Sequence, residues 1–287
     1  MLYHLLFPLH QTFSAFNVFR YITFRTAYAA LTALLVSLLL GPYVIRWLQK
    51  WQIGQIIRRD GPKSHYVKAG TPTMGGVLIL GALCLSTLLW VDLTVVQVWL
   101  ALGATLAFGA IGFWDDYRKI SRRSEAGLRA KHKFPLQVLV AAVVSGLLYL
   151  LADPSWQVTR LAVPFFKEVM PDLGWFYFPF SICVIVGTSN AVNLTDGLDG
   201  LATGPLSVAA FAYAGIAYVA GHARFAAYLN IPYVPGAGEL AVFCGAPGGG
   251  KPRVPLVQRL SGADFHGRCG RLGLGRCAGY GSRPRQA

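Results

Sequence analysis

Charge is what this chain has least of. Asp, Glu, Lys and Arg make up 13% of its 287 residues, about half of the ~25% usual in soluble globular domains. Acids are the scarcer sign, 12 against 26 Lys and Arg. The low charge does not mean disorder, because 54% of the residues are hydrophobic and the mean hydropathy is +0.48, whereas disordered chains are poor in apolar residues. Cysteine is sparse too. Cys84, Cys183 and Cys244 sit in apolar runs as small hydrophobes and Cys269 and Cys277 near the end, so no disulfide framework is indicated. No cleavable leader is expected either: Met1–Phe19 has no basic opening and is broken by His4, Pro8, His10 and Gln11. That stretch reads as an interfacial segment ahead of a first membrane span.

In place of charge the chain has long uncharged runs. A helical span needs ~20 such residues. Arg25 to Arg46 leaves 20, Lys68 to Asp92 leaves 23, Asp92 to Asp115 leaves 22 and Lys133 to Asp153 leaves 19. Asp172 to Asp196 leaves 23 and Asp199 to Arg224 leaves 24. The expectation is an all-α, polytopic membrane protein with six transmembrane helices and a partial seventh from Leu240, since helices satisfy their own backbone in lipid. Lys and Arg orient it. The Arg46–Lys68 loop carries six basic residues against Asp60, and the Asp115–Lys133 loop carries seven against three acids. Both fall on one face, expected to be cytoplasmic. The Asp153–Asp172 loop, with Arg160 and Lys167 against three acids, belongs to the opposite face.

Three polar clusters share the basic face. The first, Asp60-Gly-Pro-Lys-Ser-His65 running to Gly70-Thr-Pro-Thr-Met-Gly-Gly76, places Lys63, His65, Lys68, Thr71 and Thr73 beside a helix N-terminus, an arrangement suited to phosphate or to an ordinary positive-inside loop. The second is Phe113-Trp-Asp-Asp-Tyr-Arg-Lys119. Its paired carboxylates oppose the local charge trend, and acids at a membrane rim are costly enough to suggest function. They can hold Mg²⁺, which prefers oxygen ligands and substrate phosphates, or one can act as a base. The basic segment Gly127–Lys133 that follows can also meet anionic headgroups. The third is Asn193-Leu-Thr-Asp-Gly-Leu-Asp-Gly-Leu-Ala202, where Asp196 and Asp199, if helical, share a face. Carboxylates and cations gathered on one face fit chemistry between an anionic soluble substrate and a phosphorylated lipid. A channel or transporter would place charge within its spans.

These three blocks together resemble the phospho-N-acetylmuramoyl-pentapeptide transferase family, over roughly residues 1–245. The resemblance implies transfer of phospho-MurNAc-pentapeptide from its UDP carrier to undecaprenyl phosphate, giving lipid I and UMP with Mg²⁺, at the bacterial inner membrane. It implies Asp115 as the base acting on the lipid phosphate and Asp116 as its partner at the metal and phosphate site, both being metal ligands. Asn193, Asp196 and Asp199 match the nucleotide and diphosphate region, while Lys68, Thr71, Thr73, Lys119 and Lys131 are candidate substrate contacts. A UDP-GlcNAc:polyprenyl-phosphate transferase is the alternative within the superfamily, and the Thr-Pro-Thr-Met-Gly-Gly block favours the muramoyl reaction. A homodimer is left open; no nucleic acid is expected.

Residues 246–287 depart from everything before them. They hold eight Lys and Arg against Asp264 and ten glycines, with no apolar run of span length. They therefore account for 8 − 1 = +7 of the net +14, leaving 18 − 11 = +7 to residues 1–245. Gly248-Gly-Gly-Lys251 is followed by Pro252 and lacks the Ser/Thr and spacing of a P-loop, and His266, Cys269 and Cys277 make no zinc pattern. The family's remaining spans (about ten in all), its Phe-Met-Gly-Asp block with a metal aspartate and its triple histidine are not found here. Suitable codons for Arg253–Gly270, read one base later, encode Gly-Phe-Leu-Trp-Phe-Asn-Ala-Tyr-Pro-Ala-Gln-Thr-Phe-Met-Gly-Asp-Val-Gly, which is that block. The wobble bases were chosen to fit, but the outer bases of each recovered codon are mostly set by the residues present. The expected organisation is an incomplete transferase domain at 1–245 and an out-of-frame, unstructured tail at 246–287. Resequencing the gene should reveal an inserted or deleted base in the codons for Ala246–Pro252; a frame unbroken through Ala287, with no such change relative to close relatives, would exclude it.

Overall fold

In a computed structural model, the structure describes residues 1–50, 75–121, 127–153, 156, 158–163, 166, 169–195 and 203–250. All regular structure among them is helical, apart from one isolated bridge between Arg160 and Asp172. The opening residues form short turns: α1 (Leu2–Leu6), then 3-10 turns at Phe7–Gln11 and Ser14–Arg20. The longer helices are α2 (Ile22–Lys50), α3 (Gly75–Trp90), α4 (Val96–Ser121), α5 (Ala130–Leu151), α6 (Tyr177–Thr195) and α7 (Thr203–Ala220). The short α8 (Ala223–Leu229) and α9 (Ala237–Gly250) follow.

Among the described residues four helices are long and apolar enough to cross a membrane, those at 22–48, 96–121, 131–151 and 174–195, and a fifth crossing appears if α7 and α8 count as one. This makes the chain a multi-pass membrane protein. The expected sixth span departs from a straight rod, since α7 and α8 meet at 99°. Gly221 and the extended His222 break the helix, and Gly221 lets α7 abut α9: a Cβ there would stand 2.7 Å from the Gly238 Cα. The expected second span is seen as the 16 residues of α3, about 24 Å of helix, with residues 51–74 outside the described set. Helix α9 occupies the place of the partial seventh. It runs to Gly250, so the 245/246 boundary drawn from sequence falls inside it.

Helix α9 is the hub, packing against α2, α3, α4 and α7. On α2 the buried residues Arg25, Ala29, Ala33 and Ser37 recur every four positions as one stripe. Facing them, α9 buries Ala241, Val242 and Ala246 and presents Gly238 and Gly245, where a Cβ would press on Ile22 and Thr26. Small residues replace bulky ones because lipid gives helices no hydrophobic reason to associate; close backbone approach and dispersion do that work. Polar ties supplement it. Ser86 Oγ donates to the Ala29 carbonyl at 2.6 Å, Trp90 Nε1 to Thr32 Oγ1 at 2.9 Å, and Ser181 Oγ to Ser145 Oγ at 2.9 Å.

The stripe begins with a buried ion pair. Arg25 donates to both carboxylate oxygens of Glu239, at 2.7 and 2.6 Å, and to the Trp90 carbonyl at 3.4 Å. The backbone N–H of Asp92 donates to Glu239 Oε2 at 2.9 Å, and the Tyr3 ring lies 4.4 Å from the guanidinium carbon. Arg25 is 2% and Glu239 7% exposed, so neither charge can be left unpaired. Removing one partner of such a pair costs about 3–5 kcal/mol, while replacing both with apolar groups costs far less. Glu239→Ala should therefore lower the unfolding temperature in detergent sharply, and Arg25→Met with Glu239→Met should recover most of the loss. Melting of Glu239→Ala at the parental temperature would show the pair to be dispensable.

Candidate active site

The paired aspartates lie within the last two turns of α4, not in the loop beyond it. A helix C-terminus carries partial negative charge and repels carboxylates by up to about 1 kcal/mol each. These two acids are tolerated because cations are placed on them. Lys119 stands one turn on from both, with its Nζ 2.8 Å from Asp115 Oδ2 and 3.0 Å from Asp116 Oδ1. The second oxygen of Asp115 is held by backbone, since the Leu128 N–H donates to Oδ1 at 2.6 Å. Lys133, at the start of α5, brings its Nζ to 3.9 Å from Asp115 Oδ2. The two acids thus differ in setting: the Asp115 side chain is 14% exposed and that of Asp116 42%.

Gly127 permits this arrangement. A Cβ at that position would run into the Asp115 carboxylate and stand 2.6 Å from Lys119 Cε. Read from sequence, Gly127–Lys133 adds basic groups that can also meet anionic headgroups. In the structure its Leu128 N–H and Lys133 approach Asp115. Sequence reasoning did not single out Lys133; the available signal was a lysine closing a basic loop that opens on two acids.

The other candidates are distributed unevenly. Lys131 is exposed on the first turn of α5, and Asn193 is exposed on the last turn of α6. Among the described residues no hydrogen bond or ion pair joins either to the aspartates. Lys68, Thr71, Thr73, Asp196 and Asp199 lie outside the described residues, as does the tail from 251. A link between the α4 cluster and α6 does exist through α5. Gln137, one turn on from Lys133 and 3% exposed, accepts a 2.9 Å hydrogen bond from Asn190 Nδ2, which also donates to the Val186 carbonyl at 2.9 Å. This amide pair, buried on the Gln137 side, sits one turn before Asn193. Gln137 had no sequence signal beyond being a polar residue in an apolar run.

Comparison with known proteins places this geometry. The model for "Glycosyl transferase family 4" matches residues 98–243, and that for "Phospho-N-acetylmuramoyl-pentapeptide-transferase signature 1" matches residues 68–80. The phospho-N-acetylmuramoyl-pentapeptide-transferase of Syntrophus aciditrophicus is 53% identical over 279 residues, 97% of this chain and 77% of the relative. Those of Desulfotalea psychrophila and Desulfosudis oleivorans are 51% and 52% identical over the same shares. The chain belongs to the phospho-N-acetylmuramoyl-pentapeptide-transferase family. Covering 97% of 287 residues, the alignments run past Ala246 into the tail.

Transferases of this family act on phospho-sugars, and a phosphoryl-transfer site of this kind implies a divalent cation. The described residues include no group of three His, Cys, Asp or Glu side chains able to hold a metal. They do include two adjacent carboxylates whose oxygens converge on one point, now taken by the Lys119 ammonium. Hard oxygen donors converging on a cation fit a hard divalent ion, which can take one or two carboxylates and fill its remaining positions with water and phosphate. Asp115 and Asp116 are therefore the residues that would hold it. The Leu128 anchor makes the geometry testable. Gly127→Ala should push the loop off Asp115, seen as faster trypsin cleavage after Arg129 and Lys131; cleavage at the parental rate would mean that the loop tolerates the extra methyl group.

Proposed function

We propose that this membrane protein is built to transfer phospho-MurNAc-pentapeptide from its UDP carrier to undecaprenyl phosphate, giving lipid I and UMP. The basic face is cytoplasmic and the membrane is the bacterial inner membrane. The observation that carries this reading is the Asp115–Asp116 pair, bridged by Lys119 and approached by Lys133, at the basic face of a multi-helix membrane protein of this family. The rival UDP-GlcNAc reaction is disfavoured by the muramoyl signature matched at 68–80.

The roles follow from the chemistry. An oxygen of undecaprenyl phosphate attacks the β-phosphorus of the UDP-sugar; the bond from that phosphorus to the bridging oxygen breaks, and UMP leaves. Asp115, fixed by the Leu128 N–H and held by Lys119, takes the proton from the lipid phosphate. Asp116 would help Asp115 to hold the cation. A bound Mg²⁺ supplies charge neutralisation for the diphosphate, which with positioning provides most of the catalysis in phosphoryl transfer. Lys68, Thr71, Thr73, Lys119 and Lys131 contact the anionic substrates, and Asn193, Asp196 and Asp199 serve the nucleotide and diphosphate. The protein acts alone or as a homodimer.

The tail bears on activity. A one-base shift in the codons before Arg253 would preserve residue spacing while replacing the family's sequence across Arg253–Gly270. In that case the chain as written lacks the family's further metal aspartate and turns over little or no substrate. Mg²⁺-dependent lipid I formation should be absent from this chain and present once a single base restores the frame. In the restored protein Asp115→Asn should abolish turnover while membrane insertion persists. Full activity of the chain as written would overturn the tail reading, and near-normal turnover of Asp115→Asn would remove that residue from the chemistry.

A further inference from the structure

We propose that Lys119 is a built-in counter-cation: its ammonium neutralises Asp115 and Asp116 until a divalent ion binds, and is then displaced towards the substrate's phosphates. The inference rests on the Mg²⁺-dependent transferase reading and goes beyond it by making the lysine and the metal competitors for one position. Three observations support it.

First, the ammonium is shared almost evenly, 2.8 Å from Asp115 Oδ2 and 3.0 Å from Asp116 Oδ1. Mg²⁺ needs such oxygens at about 2.0–2.1 Å, so it cannot bridge them with Nζ in place. Second, the two sides differ in freedom. The Asp115 carboxylate is anchored by the Leu128 N–H at 2.6 Å, while the Lys119 side chain is 39% exposed and has a path to solvent. The cation, not the carboxylate, is the part able to leave. Lysine suits this, being a single charge on a flexible four-carbon stem that makes no rigid fork. Third, a second cation remains behind. Lys133, on a different helix, stays within 3.9 Å of Asp115, so the carboxylate is not left bare during the exchange. Asp115 and Asp116 stand at the negative end of α4 and need a cation in every state of the cycle; Lys119 supplies it in the metal-free one.

The test uses Mn²⁺ as the probe, titrated by electron paramagnetic resonance into the full chain in detergent. Lys119→Met should bind Mn²⁺ about tenfold more tightly than the parent, because a competing like charge at a half-exposed site is gone. Lys119→Arg should bind it no more tightly than the parent. In the unsubstituted chain, Mg²⁺ should raise acetylation of the Lys119 amine several-fold relative to Lys131, an exposed internal reference. That measurement carries the test if Lys119→Met fails to fold. Mn²⁺ affinity of Lys119→Met equal to or weaker than the parent's, or acetylation of Lys119 indifferent to Mg²⁺, overturns the exchange and leaves the metal reading standing. Binding of Mn²⁺ by none of the proteins, the frame-restored one included, overturns both.

Discussion

Everything on the face opposite the basic loops is organised by one constraint, that the Arg25 guanidinium is buried in an apolar bundle and must be met. Its partner comes from 214 residues further along the chain. Glu239 meets it with both oxygens, and the same carboxylate collects the Asp92 N–H from the turn between α3 and α4. The start of α2, the end of α3, the opening turns and the start of α9 are thereby joined at one point. Two charges nearly out of water are a poor source of net stability. They are a strong source of specificity, because no other register of α9 against α2 satisfies both. Once the register is set, the small residues behind the pair let the backbones close.

The site at the other face works by the reverse logic. There the unfavourable element is a pair of negative charges at the negative end of α4, and the structure surrounds them with mobile or loop-borne compensation. One carboxylate oxygen is held by backbone, two others by a lysine that can leave, and a further lysine waits on α5. A purely structural helix end would carry lysines and no aspartates. Retaining the acids at that position makes sense where a cation and phosphates are to be handled, and the chain's family fits that use.

Helix α5 carries the geometry between parts of the site. Lys133 faces Asp115, and one turn deeper Gln137 takes the amide of Asn190, so α6 cannot slide along α5 without breaking that hydrogen bond. Helix α9, by contrast, is tied into the core as far as Ala246, packed with Ala33 and Leu83. The abrupt change in composition that follows lies next to the most tightly held helix of the bundle.

The paired aspartates and the membrane character were legible from sequence because their signals are local: charge-free runs of span length, and two acids against a basic background. The multi-pass, all-helical class followed from the same local signals, and the family from the resemblance carried by the Asp60–Gly76, Asp115–Lys119 and Asn193–Ala202 blocks. Other features were not legible. Arg25 looked like the edge of a span, and Glu239 was passed over, though a lone acid in an apolar run was signal enough to look for a partner. Which cation would answer it depends on a contact across most of the chain. The folding of Gly127–Lys133 back onto Asp115, the Gln137–Asn190 bond and the 99° bend after α7 are likewise matters of close approach between distant segments. Sequence alone determined the solvent of this protein, its all-helical class and which charged residues gather near its basic face. Tertiary structure decided which charges meet, because burial makes each charge demand a partner and only packing brings one near.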